Sequence, residues 1–226
     1  MIEKRGLKKF QCRGGVRKAH EDGRNSRKIF AIRAFSSYNS RVLYIMRHGE
    51  TDWNLENKIQ GQIDVPLNDT GRIQVVSALE KIARLRIHRI VSSDLSRAAE
   101  TAKILEWPLR LTVEYDARLR EWDLGDLNTA KLTSVATFAP VLTEYQKYNA
   151  ESIDSVFTRV AAFFDKFDME QNTLIVSHGG LMRAIMYYLE TGDKNNMDAF
   201  IKFGFSTHIG NAQIFAFKNK KFELVR

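Results

Sequence analysis

The chain has 226 residues, of which 44% are hydrophobic and 11% aromatic, with a formal net charge of +8 and one cysteine. This length and composition exclude a fully disordered chain and predict one globular domain with an appendage. One cysteine excludes an internal disulfide framework and a multi-cysteine zinc site, and no apolar run approaches the about 20 residues of a membrane-spanning helix, so we expect a soluble intracellular protein without a membrane partner.

The positive charge is concentrated in the N-terminal segment. Residues 1–41 carry 12 of the 35 Lys and Arg residues and three of the 27 Asp and Glu residues, a net charge of +9, whereas residues 42–226 carry −1. The run Arg33–Ser37 resembles the cleavage site of a mitochondrial presequence. The alternatives for this segment are a basic arm that contacts RNA or anionic lipid, and a solvated tail without a partner.

This charge distribution predicts two parts. Residues 1–40 form a basic tail that is either disordered or a targeting peptide, and residues 41–226 form the folded domain. We expect the protein in an organelle matrix, that of the mitochondrion, with the cytoplasm as the alternative. Because the folded part is nearly neutral, we expect no nucleic-acid partner. A homodimer is a candidate assembly.

Beyond the tail, short apolar runs alternate with segments of helical periodicity. Strands that alternate with helices predict an α/β domain with a mostly parallel sheet. The predicted strands are 42–46, 89–94, 111–115, 173–177, 212–217 and 222–225, and the predicted helices are about 70–83, 96–105, 152–167 and 180–189.

Basic and polar residues follow three of these strands. Arg47 and His48 come directly after the first strand, and Arg97 comes shortly after the second. His178 follows the strand at 173–177 and precedes Gly179 and Gly180. Functional groups of such sheets lie at the carboxyl ends of the strands. We therefore expect two histidines and two arginines to share one edge of the sheet.

This combination has three interpretations. Either histidine alone is compatible with an ordinary side chain satisfied by the backbone, and imidazole is also a common metal ligand. Two arginines at the same edge would repel a divalent cation, and no His, Asp or Glu pair has the i, i+4 spacing of a metal site there. Guanidinium groups match phosphate oxygens, and a helix N-terminus after Gly179 and Gly180 offers N–H groups to an anion. The pattern thus favours a metal-free phosphate site with a histidine nucleophile.

Several segments then carry a family resemblance. Arg47-His48-Gly49-Glu50-Thr51 resembles the signature of the histidine phosphatase superfamily, which includes the cofactor-dependent phosphoglycerate mutases. The segments that resemble the family's later blocks, in the family's order, are Gln60-Gly61 with Pro66-Leu67 and Thr70-Gly71, Ser93 to Ala98, Leu119-Arg120-Glu121 with Gly125, and Ser177-His178-Gly179-Gly180.

The resemblance implies a phosphoglycerate mutase-like fold, a three-layer α/β/α sandwich with a short cap, and no cofactor or metal. It implies that His48 is the nucleophile that becomes phosphorylated and that Glu121 is the proton donor. It further implies that the phosphoryl oxygens are held by Arg47, Arg97 and His178, and that phosphate or substrate is contacted by Asn54, Gln60, Gly61 and Gly179.

The length and composition of the interval after Glu121 favour hydrolysis over mutase chemistry. Only 29 residues separate Glu121 from Glu151, and their only bases are Lys131 and Lys147. Mutases of the family carry a longer insertion with an arginine pair, so a second acidic group of the substrate would lack its anchor here. Thr129 stands where family members often have glycine. This difference affects how the cap enters the site, so the sequence does not identify the substrate.

We therefore expect a phosphomonoester hydrolase that acts on a small phosphorylated metabolite through a phosphohistidine. The alternatives are phosphoglycerate mutase-type phosphoryl transfer and a protein that binds a phosphorylated ligand without catalysis.

Overall fold

A six-stranded sheet forms the centre of a computed structural model that describes residues 41–131 and 144–226. The strand order is β3-β2-β4-β1-β5-β6. All strands run in the same direction except β5, which is antiparallel to both of its neighbours. The strands are β1 (Leu43–Arg47), β2 (Arg89–Ser92), β3 (Val113–Tyr115), β4 (Thr173–Ser177), β5 (Ile214–Lys218) and β6 (Lys221–Leu224).

Helices connect the strands and cover both faces of the sheet. The helices of the described ranges are α1 (Asp52–Leu55), α2 (Asp69–Arg84), α3 (Ser96–Leu109), α4 (Ile153–Phe164), α5 (Gly179–Thr191) and α6 (Met197–Ser206). Single turns of 3-10 helix lie at Ala117–Leu119, Gly125–Leu127 and Tyr145–Tyr148. No helix in the described ranges is long and apolar enough to cross a membrane.

The sheet separates two hydrophobic cores because successive side chains of a strand point to opposite faces. Leu43 and Ile45 of β1 pack with the apolar sides of α4 and α5. Tyr44 and Met46 of the same strand pack on the other face with residues of α2 and α3. This arrangement is the predicted three-layer α/β/α sandwich with a mostly parallel sheet, so the predicted fold class is confirmed.

The boundaries differ from the predicted ones in a few places. The strand expected at 89–94 ends at Ser92. The helix expected at 152–167 ends at Phe164, and the one expected at 96–105 continues to Leu109. Two helices, α1 and α6, were absent from the sequence prediction. The predicted tail, 1–40, lies outside the described residues, as do residues 132–143 of the interval that the resemblance assigns to the cap.

Candidate active site

The two predicted site histidines lie next to each other because their strands are adjacent. Arg47, the last residue of β1, is paired with Ser177, the last residue of β4. The backbone N–H of His48 then donates to the Ser177 carbonyl at 2.9 Å, which extends the ladder by one residue. The ring centroids of His48 and His178 are consequently 5.2 Å apart, with the ring planes inclined at 56°.

A single hydrogen bond determines which nitrogen of His48 can react. Its Nδ1 lies 2.7 Å from the carbonyl oxygen of Gly49, and a carbonyl can only accept, so Nδ1 carries the proton. Burial, and then the charges of Arg47 and Arg97, lower the pKa of His48 well below its ordinary value. The ring is therefore neutral at physiological pH, with the lone pair on Nε2. A neutral imidazole with a free Nε2 is a nucleophile.

The two predicted arginines flank His48 in fixed orientations. Arg97 is fully buried and donates from Nη2 to the Gly61 carbonyl (2.7 Å) and from Nη1 to the Ile63 carbonyl (2.9 Å). Arg47 donates from Nη1 to the Ile209 carbonyl at 2.9 Å. Burial lowers the pKa of each to about 10. Both guanidinium groups thus remain charged at neutral pH.

Three buried nitrogen atoms of this cluster have no hydrogen-bond partner among the described residues: Nε of Arg47, Nε of Arg97 and Nδ1 of His178. The other ring nitrogen of His178, Nε2, lies 2.8 Å from the Ser93 hydroxyl. Leaving a buried polar group without a partner costs about 1–3 kcal/mol, so three of them around one nucleophile indicate the position of a polar ligand.

The carboxylate of Glu121 is held at the N-terminus of α5. Its Oε1 accepts from the backbone N–H groups of Trp122 (2.9 Å) and Leu181 (2.8 Å), and its Oε2 accepts from Gly180 N (3.0 Å). Oε1 thus accepts two hydrogen bonds and Oε2 accepts one. A side chain at position 180 would obstruct this contact, because a Cβ there would lie 2.7 Å from Oε1.

This contact changes one expectation from the sequence. The N–H groups at the start of α5 were expected to bind phosphate, but those of Gly180 and Leu181 bind the Glu121 carboxylate instead. Gly179 itself lines the cavity described next.

A cavity of about 640 Å³ opens in front of these groups. Four of the five predicted catalytic residues line it, and the fifth, His178, is fully buried beside His48 rather than exposed on the wall. The predicted phosphate or substrate contacts also line the cavity: Asn54, Gln60, Gly61 and Gly179. The sequence prediction therefore named residues that the fold brings to one place.

Backbone geometry fixes one of these predicted contacts, Gly61, and hydrogen bonds fix another, Asn54. Gly61 has φ +49°, and a Cβ there would lie 1.9 Å from Asn128 Oδ1, so glycine is required where the chain presents its carbonyl to Arg97. Asn54 accepts at Oδ1 from Thr51 N (3.2 Å) and from Asn211 Nδ2 (3.0 Å).

The charged residues of the site do not form a metal-binding group. Within the ranges that the structure describes, no three His, Cys, Asp or Glu side chains are arranged so that they could hold a metal ion. The residues present, two arginines and two histidines with one carboxylate, are suited to an anion instead.

A family model described as the histidine phosphatase superfamily (branch 1) matches residues 43–226. The chain belongs to this superfamily. The predicted resemblance is therefore confirmed, and the match covers nearly all of the region that the sequence assigned to the folded domain.

Individual relatives include proteins named as phosphatases and as mutases. Phosphoglycerate mutase-like protein 4 of Arabidopsis thaliana is 33% identical over 63% of this chain and 68% of its own length. Probable phosphoglycerate mutase GpmB of Salmonella paratyphi A is 35% identical over 61% and 69%. A solved mycobacterial glucosyl-3-phosphoglycerate phosphatase in complex with VO3 is 29% identical, with a TM-score of 0.66 over 82% of this chain and 97% of that one.

Sequence reasoning missed Arg159, which holds the loop that carries Glu121. Arg159 of α4 donates from Nη1 to the carbonyls of Arg118 (2.8 Å) and Arg120 (2.7 Å), and from Nη2 to the carbonyl of Glu121 (3.1 Å). Its Nε and Nη2 also contact the Glu151 carboxylate at 2.8 and 3.0 Å. The contacts to the three carbonyls connect residues about 40 positions apart, and no local pattern in the sequence reports them.

Asn211 has a similar role on the other side of the site and was also missed. Its Nδ2 donates to the carbonyls of His48 (3.2 Å) and Gly49 (3.2 Å) as well as to Asn54. The loop before β5 thereby holds the loop after β1. Its only sequence signal is the short Gly210-Asn211 segment before the last hairpin.

Proposed function

We propose that the protein is a phosphomonoester hydrolase that transfers the phosphoryl group of a small metabolite first to His48 and then to water. The observation that carries this proposal is the state of His48: a neutral ring with Nδ1–H bonded to Gly49 and the lone pair on Nε2, near enough to the charged Arg47 and Arg97 for both to lower its pKa. An enzyme without a bound metal needs both a nucleophile and fixed positive charge at the phosphoryl group, and this site has the two together.

In the first step, Nε2 of His48 attacks phosphorus and the bond from phosphorus to the ester oxygen breaks. Two guanidinium charges match the two negative charges of the phosphoryl group, and the free N–H groups of Arg47 and Arg97 are the donors for its oxygens. His178 contributes through its unpartnered Nδ1. Glu121, protonated at Oε2, gives its proton to the departing oxygen.

In the second step, the Glu121 carboxylate accepts a proton from water as the water oxygen attacks phosphorus. The bond between phosphorus and Nε2 breaks, and its electron pair returns to His48. Inorganic phosphate then leaves, and Glu121 is again protonated. The same residue acts as acid and then as base, which restores the starting state.

The decisive experiment is rapid-quench labelling with a 32P-labelled phosphomonoester in excess EDTA. We expect acid-labile phosphate on His48, no label in His48→Ala, and turnover that survives chelation because the arginines supply the charge that a metal would supply. Phosphate on His178 would reverse the two histidine roles. Binding of the ester without any label or turnover would favour a non-catalytic phospho-ligand binder.

Mutase chemistry is the second candidate, since two of the relatives carry phosphoglycerate mutase names. Among the described residues of the interval 122–150, the bases are Lys131 and Lys147, and Lys147 lies at the surface in an ion pair with Glu144. Isomerisation of phosphoglycerate that bisphosphoglycerate stimulates would establish the mutase. Release of inorganic phosphate without isomerisation is the result that we expect.

A further inference from the structure

Positive charge in the cavity exceeds what one phosphoryl group requires. The charged residues that line the cavity are Arg47, Lys58, Arg97 and Arg183, against the single carboxylate of Glu121. Two guanidinium groups already match the phosphoryl dianion. Lys58 is paired with Glu56 and lies over the ring of Trp53, 5.8 Å from its centroid. In the proposed mechanism Glu121 is protonated when the ester binds, so Arg183 is the cation that then has no negative partner in the cavity.

Arg183 is held in place by neutral acceptors only. It lies on α5 and donates from Nε to the Gly204 carbonyl (2.9 Å) and from Nη1 to the Gly179 carbonyl (2.8 Å). No ion pair involves this residue in the two ranges that the structure describes. Burial lowers the pKa of Arg183 while Glu121 partly opposes the shift. A half-buried guanidinium that is held by two neutral acceptors, with no ion-pair partner in the described ranges, is a preorganised anion site.

The position of Arg183 relates this anion site to the phosphoryl site. A Cβ at Gly179 would lie 3.3 Å from Arg183 Nη1 and 3.6 Å from Arg47 Nε. The two guanidinium groups therefore flank the same glycine. A small molecule whose phosphoryl group is at Arg47 would present its leaving portion near Arg183, within one cavity.

We propose that Arg183 is a specificity-determining residue that binds a carboxylate on the leaving portion of the phosphomonoester. The inference rests on the proposed hydrolase function. Arg183 would take the place of the arginine pair that the interval after Glu121 lacks. A single guanidinium matches a carboxylate monoanion, and its planar fork can donate a hydrogen bond to each carboxylate oxygen. A second phosphoryl dianion would need a further cation at this end of the cavity, where Lys58 is already paired.

The test compares 3-phosphoglycerate with glycerol 3-phosphate, which has a hydroxymethyl group in place of the carboxylate. For the full chain we expect kcat/KM to favour 3-phosphoglycerate by at least about tenfold. Arg183→Met should lower kcat/KM for 3-phosphoglycerate by about 10- to 100-fold, and for glycerol 3-phosphate by far less. Arg183→Lys, which keeps the charge but not the fork, should retain an intermediate preference.

Arg84→Met, on an exposed arginine of α2, is the matched control and should keep the wild-type ratio. Melting temperatures separate binding from folding, because Arg183→Met also removes contacts to α6. If Arg183→Met slows both esters equally at an unchanged melting temperature, Arg183 binds the phosphoryl group itself and the inference is wrong. A stronger, Arg183-dependent preference for fructose 1,6-bisphosphate over fructose 6-phosphate would overturn the assignment to a carboxylate.

Calorimetric binding distinguishes this inference from the hydrolase proposal. In His48→Ala, the additional change Arg183→Met should raise the Kd of 3-phosphoglycerate by about 10- to 100-fold and that of glycerol 3-phosphate much less. This result holds whether or not the wild-type protein turns over any ester. Absence of turnover of every ester would contradict the hydrolase, whereas equal binding of the two esters would contradict the role of Arg183.

Discussion

At the scale of single residues, two neutral histidines lie side by side in the interior, and this has a thermodynamic cost at acid pH. Burial is the first cause that lowers the pKa of both His48 and His178, and each is further lowered by the neighbouring arginines. In the unfolded chain both titrate near their ordinary value of about 6.5. Below this pH the unfolded state therefore binds more protons than the folded state.

We predict that the free energy of unfolding is largest above about pH 6.5 and falls below it, by about 1.4 kcal/mol per pH unit for each of the two histidines. Urea unfolding at pH 7.5 and pH 5.5 measures the slope. His48→Gln with His178→Gln should flatten it, whereas His88→Gln, at an exposed position, should leave it unchanged. An undiminished slope in the double variant would contradict the assignment.

A second residue-scale prediction separates proton donation from phosphoryl binding. Glu121→Gln should slow phosphorylation by alkyl phosphates about 10²–10⁴-fold and by nitrophenyl phosphate much less, because a good leaving group departs without a proton. Arg97→Lys should slow both substrates comparably, since both present the same phosphoryl oxygens. The measurement is kcat/KM for each pair. Equal loss in Glu121→Gln, with the activated ester spared in Arg97→Lys, would place the acid elsewhere.

The backbone conformation of Thr129 gives a physical reason why family members often have glycine at this position. The resemblance associates glycine with this position, and the backbone here has φ +82°, a region that a β-branched residue rarely adopts. Its N–H nevertheless donates to the Ile59 carbonyl at 2.8 Å, which keeps the loop beside the cavity.

Thr129→Gly should raise the free energy of unfolding by about 1 kcal/mol, because relief of backbone strain exceeds the conformational entropy that glycine loses on folding. Thr129→Ala keeps a Cβ at the same positive φ and is the control, for which we expect no comparable gain. Urea unfolding measures both. Equal stabilisation by the two variants would show that the hydroxyl or the methyl group is the cause, not the backbone.

At the scale of elements, the strands could be predicted from the sequence, whereas helices α1 and α6, which line the cavity, could not. The apolar runs of β1 and β4 are short and buried, so their pattern alone locates these strands and the predicted site residues that follow them. Helix α6 follows a polar stretch directly after α5, and its stability comes from tertiary contacts. The ring of Phe200 packs 5.1 Å from Phe157 and 5.5 Å from Tyr187, which lie on other helices.

The same distinction applies to the site. His48, Arg97 and His178 could be predicted because each follows a strand whose end is fixed by the sheet. Arg159 and Arg183 could not, because each lies within an apparently ordinary amphipathic helix and acts on carbonyls of distant segments. Hydrogen bonds from a side chain to remote backbone leave no periodic signal in a sequence.

The Arg159 contacts yield a prediction about positioning. Arg159→Lys removes the fork that holds the carbonyls of Arg118, Arg120 and Glu121, so the Glu121 side chain should be misplaced. We expect kcat for alkyl phosphates to fall about 10- to 100-fold with little change in KM, and nitrophenyl phosphate to be affected much less. Arg118→Lys, on a neighbouring arginine paired with Asp116, is the control. A rise in KM alone, or equal loss on both esters, would indicate a structural role.

At the scale of the whole molecule, net charge distinguishes a basic N-terminal segment from a nearly neutral family domain. The family match begins at residue 43, and residues 42–226 carry a net charge of −1, so the excess positive charge lies outside the region that carries the site. Import into an organelle remains a prediction from the tail sequence alone.

Deletion of residues 1–40 should leave kcat and kcat/KM for a given ester within about twofold of the full chain, since termini outside a domain tolerate truncation. Steady-state kinetics of the two proteins test this. A charge-matched control replaces the tail lysines and arginines with glutamine at full length. A large drop on deletion but not on neutralisation would mean that the tail contributes contacts to the catalytic domain.

The central position of β1 has a consequence for how the protein acquires activity. β1 is the first strand in the chain, yet it is paired with β4 and β5, and the contact between Val42 and Asn172 joins residues 130 positions apart. On the ribosome, the loop that carries His48 is synthesised early. The strands that pair with β1 are synthesised only after most of the polypeptide. Such long-range closure is slow, so the ability to bind phosphate should be among the last properties to appear during folding.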